Sequence, residues 1–354
     1  MRMALKFLLR HKKALSLLIS VAMLATIVSI VGVKEIANAI ATIEKRYLAL
    51  ALGIFILSLL VSALRWQLLI NALGTRTRYG KILEYTLVDK FANSFVPTSA
   101  MGIAIRSVLL EREYHIPKSR GLATIMLDYG VDIFGSFMLA VPCYLYLTPD
   151  LSSRLDRTFK TSLVTIGIVM VLIFLISSLD IVIEKRKEHG KARSRFGERL
   201  LHGGKYTRKF IEFSRTFSVL LTNPRLLART VVLTIAKGIL DALRVYVLFS
   251  AFGMSVPLYY FILFDSAWVF LAPLMFTPGG VGVIETGRIA LYSLIPDITP
   301  RFVTPIVFID RLITYWLMVV VGAVVFFLTG VDATLASGFK AGEAKGQAAE
   351  GSRE

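Results

Sequence analysis

The sequence predicts an all-α polytopic membrane protein, with about six full spans and two re-entrant helical hairpins in inverted repeats. Three observations carry this expectation. Of the 354 residues 55% are hydrophobic, and the mean hydropathy is +0.67. Ala14–Val33, Tyr47–Leu64, Thr161–Leu179 and Leu312–Val331 are free of charge, each close to the ~20 residues that cross a bilayer core. Two further apolar regions are broken by proline and glycine. A β-barrel would show short alternating segments instead.

Charge orders the spans. Arg2, Lys6, Arg10, Lys12 and Lys13 precede the first apolar run, and the loop 184–224 carries eleven Lys/Arg residues. By the positive-inside rule both lie in the cytoplasm. The first run is too long for a cleavable signal peptide, and no small-residue cleavage site ends it. Ala14–Val33 then goes out and Tyr47–Ile70 returns, which puts Arg76, Arg78 and Lys81 inside. Gly121–Leu147 goes out and Thr161–Ile183 comes back to the basic loop. Ile82–Leu110 therefore starts and ends inside. Its 29 residues are too few for two crossings of ~20.

The second half repeats this logic. Leu226–Phe252 goes out and Phe302–Thr329 comes in, so Leu258–Pro296 starts and ends outside. In its middle lies FTPGGVGVIETG, a poor sequence for a helix in lipid. Irregular backbone at membrane depth survives only where protein or a water-filled cavity satisfies it. A re-entrant tip fits, with two full spans as the alternative. Both termini are expected in the cytoplasm of a cell-membrane protein. Lys205–Leu221 alternates basic and apolar residues at helical spacing, as an amphipathic helix on the cytoplasmic face would. Residues 330–354 are small and polar and form an expected disordered tail.

The two breaks resemble each other. FVPTSAMGIAIR carries Pro97, Gly102 and Arg106; FTPGGVGVIETGR carries Pro278, Gly279, Gly280, Gly282, Glu285 and Arg288. Arg65 and Asp128 flank the first, and Arg244 and Asp310 flank the second. The separations are 32 and 31 residues in the first half, 34 and 32 in the second. Halves of about 47–183 and 226–329 would thus be inverted repeats, the pattern of transporters with broken helices near the midplane. Gly282 is expected to allow close approach at the second tip.

Fourteen ionisable residues fall within the apolar regions: Arg65, Asp89, Lys90, Arg106, Asp128, Asp132, Lys237, Asp241, Arg244, Asp265, Glu285, Arg288, Asp310 and Arg311. Each would cost about 2.5–3.5 kcal/mol at a lipid-facing helix centre. They must pair or line a polar cavity. Lys237, Asp241 and Arg244 share one helix face, as do Asp128 and Asp132. Structural pairing suits Asp310–Arg311 and Lys237–Asp241 best, and Arg65 near a span end could snorkel. Glu285, Arg106 and Arg288 follow the breaks, where a helix N-terminus beside an arginine suits an anion such as a lipid phosphate. Glu285 could pair an arginine, carry a proton or meet a cationic headgroup.

At this point Pro278-Gly279-Gly280-Val281-Gly282-Val283-Ile284-Glu285 resembles the P-G-G-x-G-x-x-E signature of the flippase-like membrane domain of lysylphosphatidylglycerol synthases. Arg65-Trp66, Asn93 ahead of Pro97, Gly102 with Arg106, and Arg311 agree with it. Two positions depart: Ile103 stands where the family's first motif usually has an acid, and Asp128-Tyr129 where it often has an acid–arginine pair. The resemblance implies a flippase-like domain over 1–329 without the synthase part. The motif residues Glu285, Arg106, Arg65 and Arg311, with Arg288 and Arg244 from the interior charges and the repeat, are the expected lipid-binding residues.

Three function classes follow. A flippase would move an anionic lipid: a phospholipid, an aminoacylated lipid or a polyprenyl-phosphate-linked one. A membrane scaffold would serve a separate lipid-modifying enzyme or glycosyltransferase. A membrane-embedded transferase would need a base or a metal site, and the sequence offers no nucleophile beside a base and no histidine in a span. No catalytic residue, metal or cofactor is therefore expected. Cys143 is the sole cysteine, which leaves it a packing role. The net charge of +17 clusters between spans, so the partners are membrane lipids and no nucleic acid is expected.

Overall fold

The computed structural model describes residues 43–94, 100–147, 205–271 and 278–328, with isolated positions between 157 and 168. The expected first span, most of Thr161–Ile183, residues 184–204, Pro97 and the C-terminal tail lie outside the described residues. Among the described residues every element is helical: α1 (Lys45–Asn71), α2 (Tyr79–Ala92), α3 (Ala100–Tyr114), α4 (Lys118–Leu147), α5 (Lys205–Leu221), α6 (Pro224–Ala251), α7 (Leu258–Leu271), α8 (Val283–Tyr292) and α9 (Pro300–Leu328). A single 3-10 turn, Pro278–Gly280, stands before α8.

Length sorts these helices. α1, α4 and α9, with 27, 30 and 29 residues, are long and apolar enough to cross a membrane. Their outer faces stay apolar: Leu50, Ile56 and Leu57 on α1 and Val320, Val324 and Leu328 on α9 are exposed. α6 has 28 residues, the length of a span, but carries Lys237, Asp241 and Arg244. α2, α7 and α8 have 14, 14 and 10 residues. At 1.5 Å per residue they rise about 15–21 Å, short of a ~30 Å hydrocarbon core.

Helix ends follow local chemistry. Asn223 caps α6 by accepting from the Leu226 amide at 3.1 Å, and Pro224 takes the first turn, where no amide hydrogen is needed. In α9 a π turn at Leu312–Trp316 directly follows Arg311. Such a turn shifts the register of the side chains around it.

α1 and α6 pack against each other at the centre of the molecule. Arg65 reaches Thr234, Ser58 reaches Asp241 and Arg244 lies over Phe55, so the two helices run antiparallel. Each hairpin then leans on the other half. Phe91 of α2 packs on Phe326 of α9 with ring centroids 5.5 Å apart, and Tyr259 of α7 packs on Tyr146 of α4 at 5.1 Å. Gly322 permits the first contact: a Cβ there would lie 2.6 Å from the Leu87 carbonyl oxygen and 2.8 Å from the Phe91 Cβ.

α5 has the expected bounds, but its apolar stripe is turned onto the bundle. Leu220 is buried with Leu69, Leu127, Val131 and Leu226, while Phe217 and Leu221 pack at the edge of that cluster. Glu212 accepts from Ser119 at 2.5 Å and Arg120 at 3.0 Å, fastening α5 to the start of α4.

Candidate functional site: an interior chain of ion pairs between two hairpins

The second break is built from glycine and one glutamate. Gly279, Gly280 and Gly282 have φ of +60°, +68° and +82°, in the region where L side chains are strained. The Gly282 amide donates to one carboxylate oxygen of Glu285 at 2.7 Å. Arg311 Nε donates to the other at 2.7 Å, and its terminal nitrogen reaches the Gly279 carbonyl at 3.1 Å. Glu285 thus caps α8 and ties the break to α9 in one side chain. The Arg311 guanidinium also lies over Tyr315, 4.2 Å from the ring centroid.

Close approach falls at Gly279, not at Gly282 as the sequence suggests. A Cβ on Gly279 would lie 1.8 Å from the Tyr315 hydroxyl, whereas one on Gly282 would meet nothing within 4 Å. Gly282 is needed for its backbone conformation alone.

In the first hairpin Asn93 does the stitching. Its carbonyl oxygen accepts from the Gly102 amide at 2.8 Å, and its NH2 donates to Asp89 at 3.0 Å. Gly102 does not break a helix; it sits within α3. It is small because a Cβ would lie 2.0 Å from the Asp89 carboxylate and 2.5 Å from the Asn93 amide.

The charges between the breaks form one alternating chain. Asp89 pairs with Arg106, which lies 3.9 Å from Asp128. Arg65 binds Asp128 at 2.7 Å and Asp132 at 2.5 Å. Lys237 stands 3.9 Å from Asp132 and 3.0 Å from Asp241. Arg244 binds Asp241 at 2.9 Å and Asp310 at 2.6 Å. Arg288 pairs with Asp310 and lies 3.7 Å from Asp265, which accepts from the Tyr292 hydroxyl at 2.5 Å.

The two ends of this chain match residue for residue. Arg65, Asp89, Arg106 and Asp128 on α1, α2, α3 and α4 correspond to Arg244, Asp265, Arg288 and Asp310 on α6, α7, α8 and α9. In both halves the first arginine meets the last aspartate through Nε, at 2.7 and 2.6 Å. The hairpin arginine bridges that aspartate to the one on the entering helix. Arg65, Arg106, Arg244 and Arg311 are buried with their carboxylates, so no lipid-facing charge arises at these sites.

Of the six arginines and carboxylates expected at the site, five arginines and Glu285 are all found in ion pairs. Two pairing expectations need correction. Asp310 and Arg311 do not pair with each other: Asp310 takes Arg244 and Arg288, and Arg311 takes Glu285. Neighbours on a helix point about 100° apart, which separates their partners. Arg65 does not snorkel; it is 3% exposed and holds two aspartates. Lys237–Asp241 pairs as expected, though as a link in the longer chain.

Residue patterns missed the uncharged members. Thr234 accepts from Arg65, Ser58 donates to Asp241 at 2.7 Å, and Tyr292 serves Asp265. Spacing held a signal for two of them: Thr234 is three residues before Lys237, and Tyr292 four after Arg288, each on the same helix face.

Apolar spanning helices around an organised polar interior define a helical membrane protein. The chain belongs to the lysylphosphatidylglycerol synthase TM region family, which matches residues 13–322. It is 25% identical to a UPF0104 membrane protein of Methanothermobacter thermautotrophicus, over 92% of this chain and 99% of the relative. Identity to a UPF0104 membrane protein of Pyrococcus horikoshii is 20%, covering 88% and 96%. For one from Archaeoglobus fulgidus it is 28%, covering 75% and 81%. No solved structure matches.

Proposed function

We propose that the protein is a lipid flippase that carries an anionic lipid headgroup through its interior. The observation that supports this is the unbroken chain of ion pairs from Asp89 beside the first break to Asp265 beside the second. A fold needing only stability gains little from so many buried charges, since apolar replacements of similar volume are often as stable. A route for a charged headgroup needs partners along its whole length. Arg65, Arg106, Arg244, Arg288 and Arg311 exchange a carboxylate for the lipid phosphate as it passes, and Glu285 holds the second break.

In this reading α2–α3 and α7–α8 are re-entrant hairpins entering from opposite sides. The antiparallel packing of α1 and α6 supports that inversion, because equivalent helices of inverted repeats must run in opposite directions. Six full spans complete the bundle, with both termini on the cytoplasmic side of the cell membrane.

The test is lipid movement in proteoliposomes, with labelled phosphatidylglycerol and a labelled polyprenyl phosphate. Glu285→Gln alone would strand Arg311, so Glu285→Gln with Arg311→Gln, which keeps the pair neutral, is the informative variant. Wild-type movement that falls at least tenfold in a folded double variant is the expected result. No movement of either lipid by the wild type would overturn the reading in favour of a scaffold role.

A further inference from the structure

Lys90 differs from every other charge in the interior. Six carboxylates alternate with five cations along the chain of ion pairs, and Lys90 is the sixth cation beside it. It is an exposed residue at the end of α2, yet Asp89, Arg106, Lys237 and Asp132 all lie within its electrostatic reach. It directly follows Asp89 on α2, one residue from the first carboxylate of the chain. Both nearby carboxylates are already held, Asp89 by Arg106 and Asp132 by Arg65. Among the described residues Lys90 makes no ion pair.

Two buried donors beside it are also unused. Arg106 spends its terminal nitrogens on Asp89 and toward Asp128, and its Nε has no hydrogen-bond partner. Trp66 lies under the Arg106 guanidinium, 4.7 Å from it, and its indole N–H has no partner either. These residues are only 6% and 1% exposed. A buried donor left without a partner is destabilising, so two around one guanidinium need a reason. The other half has no such set: by the same correspondence Ser266 stands for Lys90 and Val245 for Trp66. Arg288 Nε, the counterpart of Arg106 Nε, is unpartnered there too, alongside an acceptor, Asp265 Oδ2, so what sets the first half apart is Lys90 and the Trp66 indole.

We infer that Lys90, Arg106 Nε and the Trp66 indole form an oxyanion site for a phosphate group at the end of the first hairpin. The inference rests on the lipid-transport reading and adds to it where the phosphate docks. A lipid phosphodiester and free inorganic phosphate share the chemistry required: oxygens that accept from an ammonium, a guanidinium and an indole.

Binding separates this from transport. The purified full chain in phosphatidylcholine nanodiscs is titrated with short-chain phosphatidylglycerol, with short-chain diacylglycerol, and with inorganic phosphate as competitor. Phosphatidylglycerol is expected to bind about tenfold more weakly to Lys90→Gln, the loss of one charge-assisted contact. Lys90→Arg is expected to stay within about threefold of wild type, and Trp66→Phe to fall between, having lost one neutral donor. Competition by millimolar phosphate would assign the site to the free ion, and its absence to the lipid; both retain the site. Equal binding to wild type, Lys90→Gln and Trp66→Phe would overturn it, as would equal affinity for diacylglycerol. Lys90-dependent binding without lipid movement would keep this site and sink the flippase reading. Lipid movement with binding indifferent to Lys90 would do the reverse.

Discussion

The two halves share four charged positions and differ at the next two. In the second half Glu285 and Arg311 form a buried pair, at 2.7 Å, that pins the break to α9. In the first half the corresponding positions are Ile103 and Tyr129, which join an apolar cluster with Ile105, Leu109 and Ile125. One hairpin is pinned by charge, the other by a neutral amide, Asn93, and by packing. The repeated part, the arginine–aspartate scaffold, is what any polar interior here requires. The unrepeated part holds the two breaks by different means.

The comparison can be broken most forcefully at the shared aspartates. Asp310 has two arginines in direct contact, while Asp128 has Arg65 at 2.7 Å and Arg106 at 3.9 Å. Asp310→Asn is expected to lose about 3–5 kcal/mol of stability and Asp128→Asn less, because more stranded charge remains after the first change. Thermal unfolding of the purified variants in detergent measures both; equal losses would contradict the difference described.

A graft sharpens it next. Ile103→Glu or Tyr129→Arg alone places an unpaired charge in an apolar cluster and is expected to cost about 2.5–3.5 kcal/mol. The double variant is expected to recover most of that. A double variant no better than the sum of the singles would mean the first break cannot house the pair.

The glycines rank below these. Gly282→Ala is expected to cost about 1–2 kcal/mol from its left-handed backbone alone. Gly279→Ala meets the same strain plus the Tyr315 ring, and should cost more. A reversed order in unfolding temperature would return close approach to Gly282. Smallest is Ser58→Ala, expected to cost about 1 kcal/mol for one hydrogen bond to Asp241, in the range a double-mutant cycle with Asp241→Asn can resolve.

Much of this was legible in the residues. The interruption at Pro278–Gly282, the length of α5 and the shared face of Lys237, Asp241 and Arg244 all follow from local rules that spacing reports. The matched positions of Arg65, Asp128, Arg244 and Asp310 were also visible, since a repeat survives as separation along the chain. What spacing hides is which partner a charge chooses. Arg311 looks paired to its neighbour Asp310, but helix geometry and the π turn after it send the two to different helices. Gly102 and Gly282 look equivalent too. Only the packing shows that one makes room for a carboxylate and the other turns the backbone.

The seat of the first hairpin has a consequence for biogenesis. Phe91 and Leu87 rest on Gly322 and Phe326, which the ribosome makes last among the described helices. The second hairpin finds α4 already in the membrane when it emerges. α2 and α3, already packed on α1 and α4, must therefore wait for this last contact through the synthesis of more than half the chain. A chain released early, before Leu317, would keep its second hairpin seated and leave the first without its ledge.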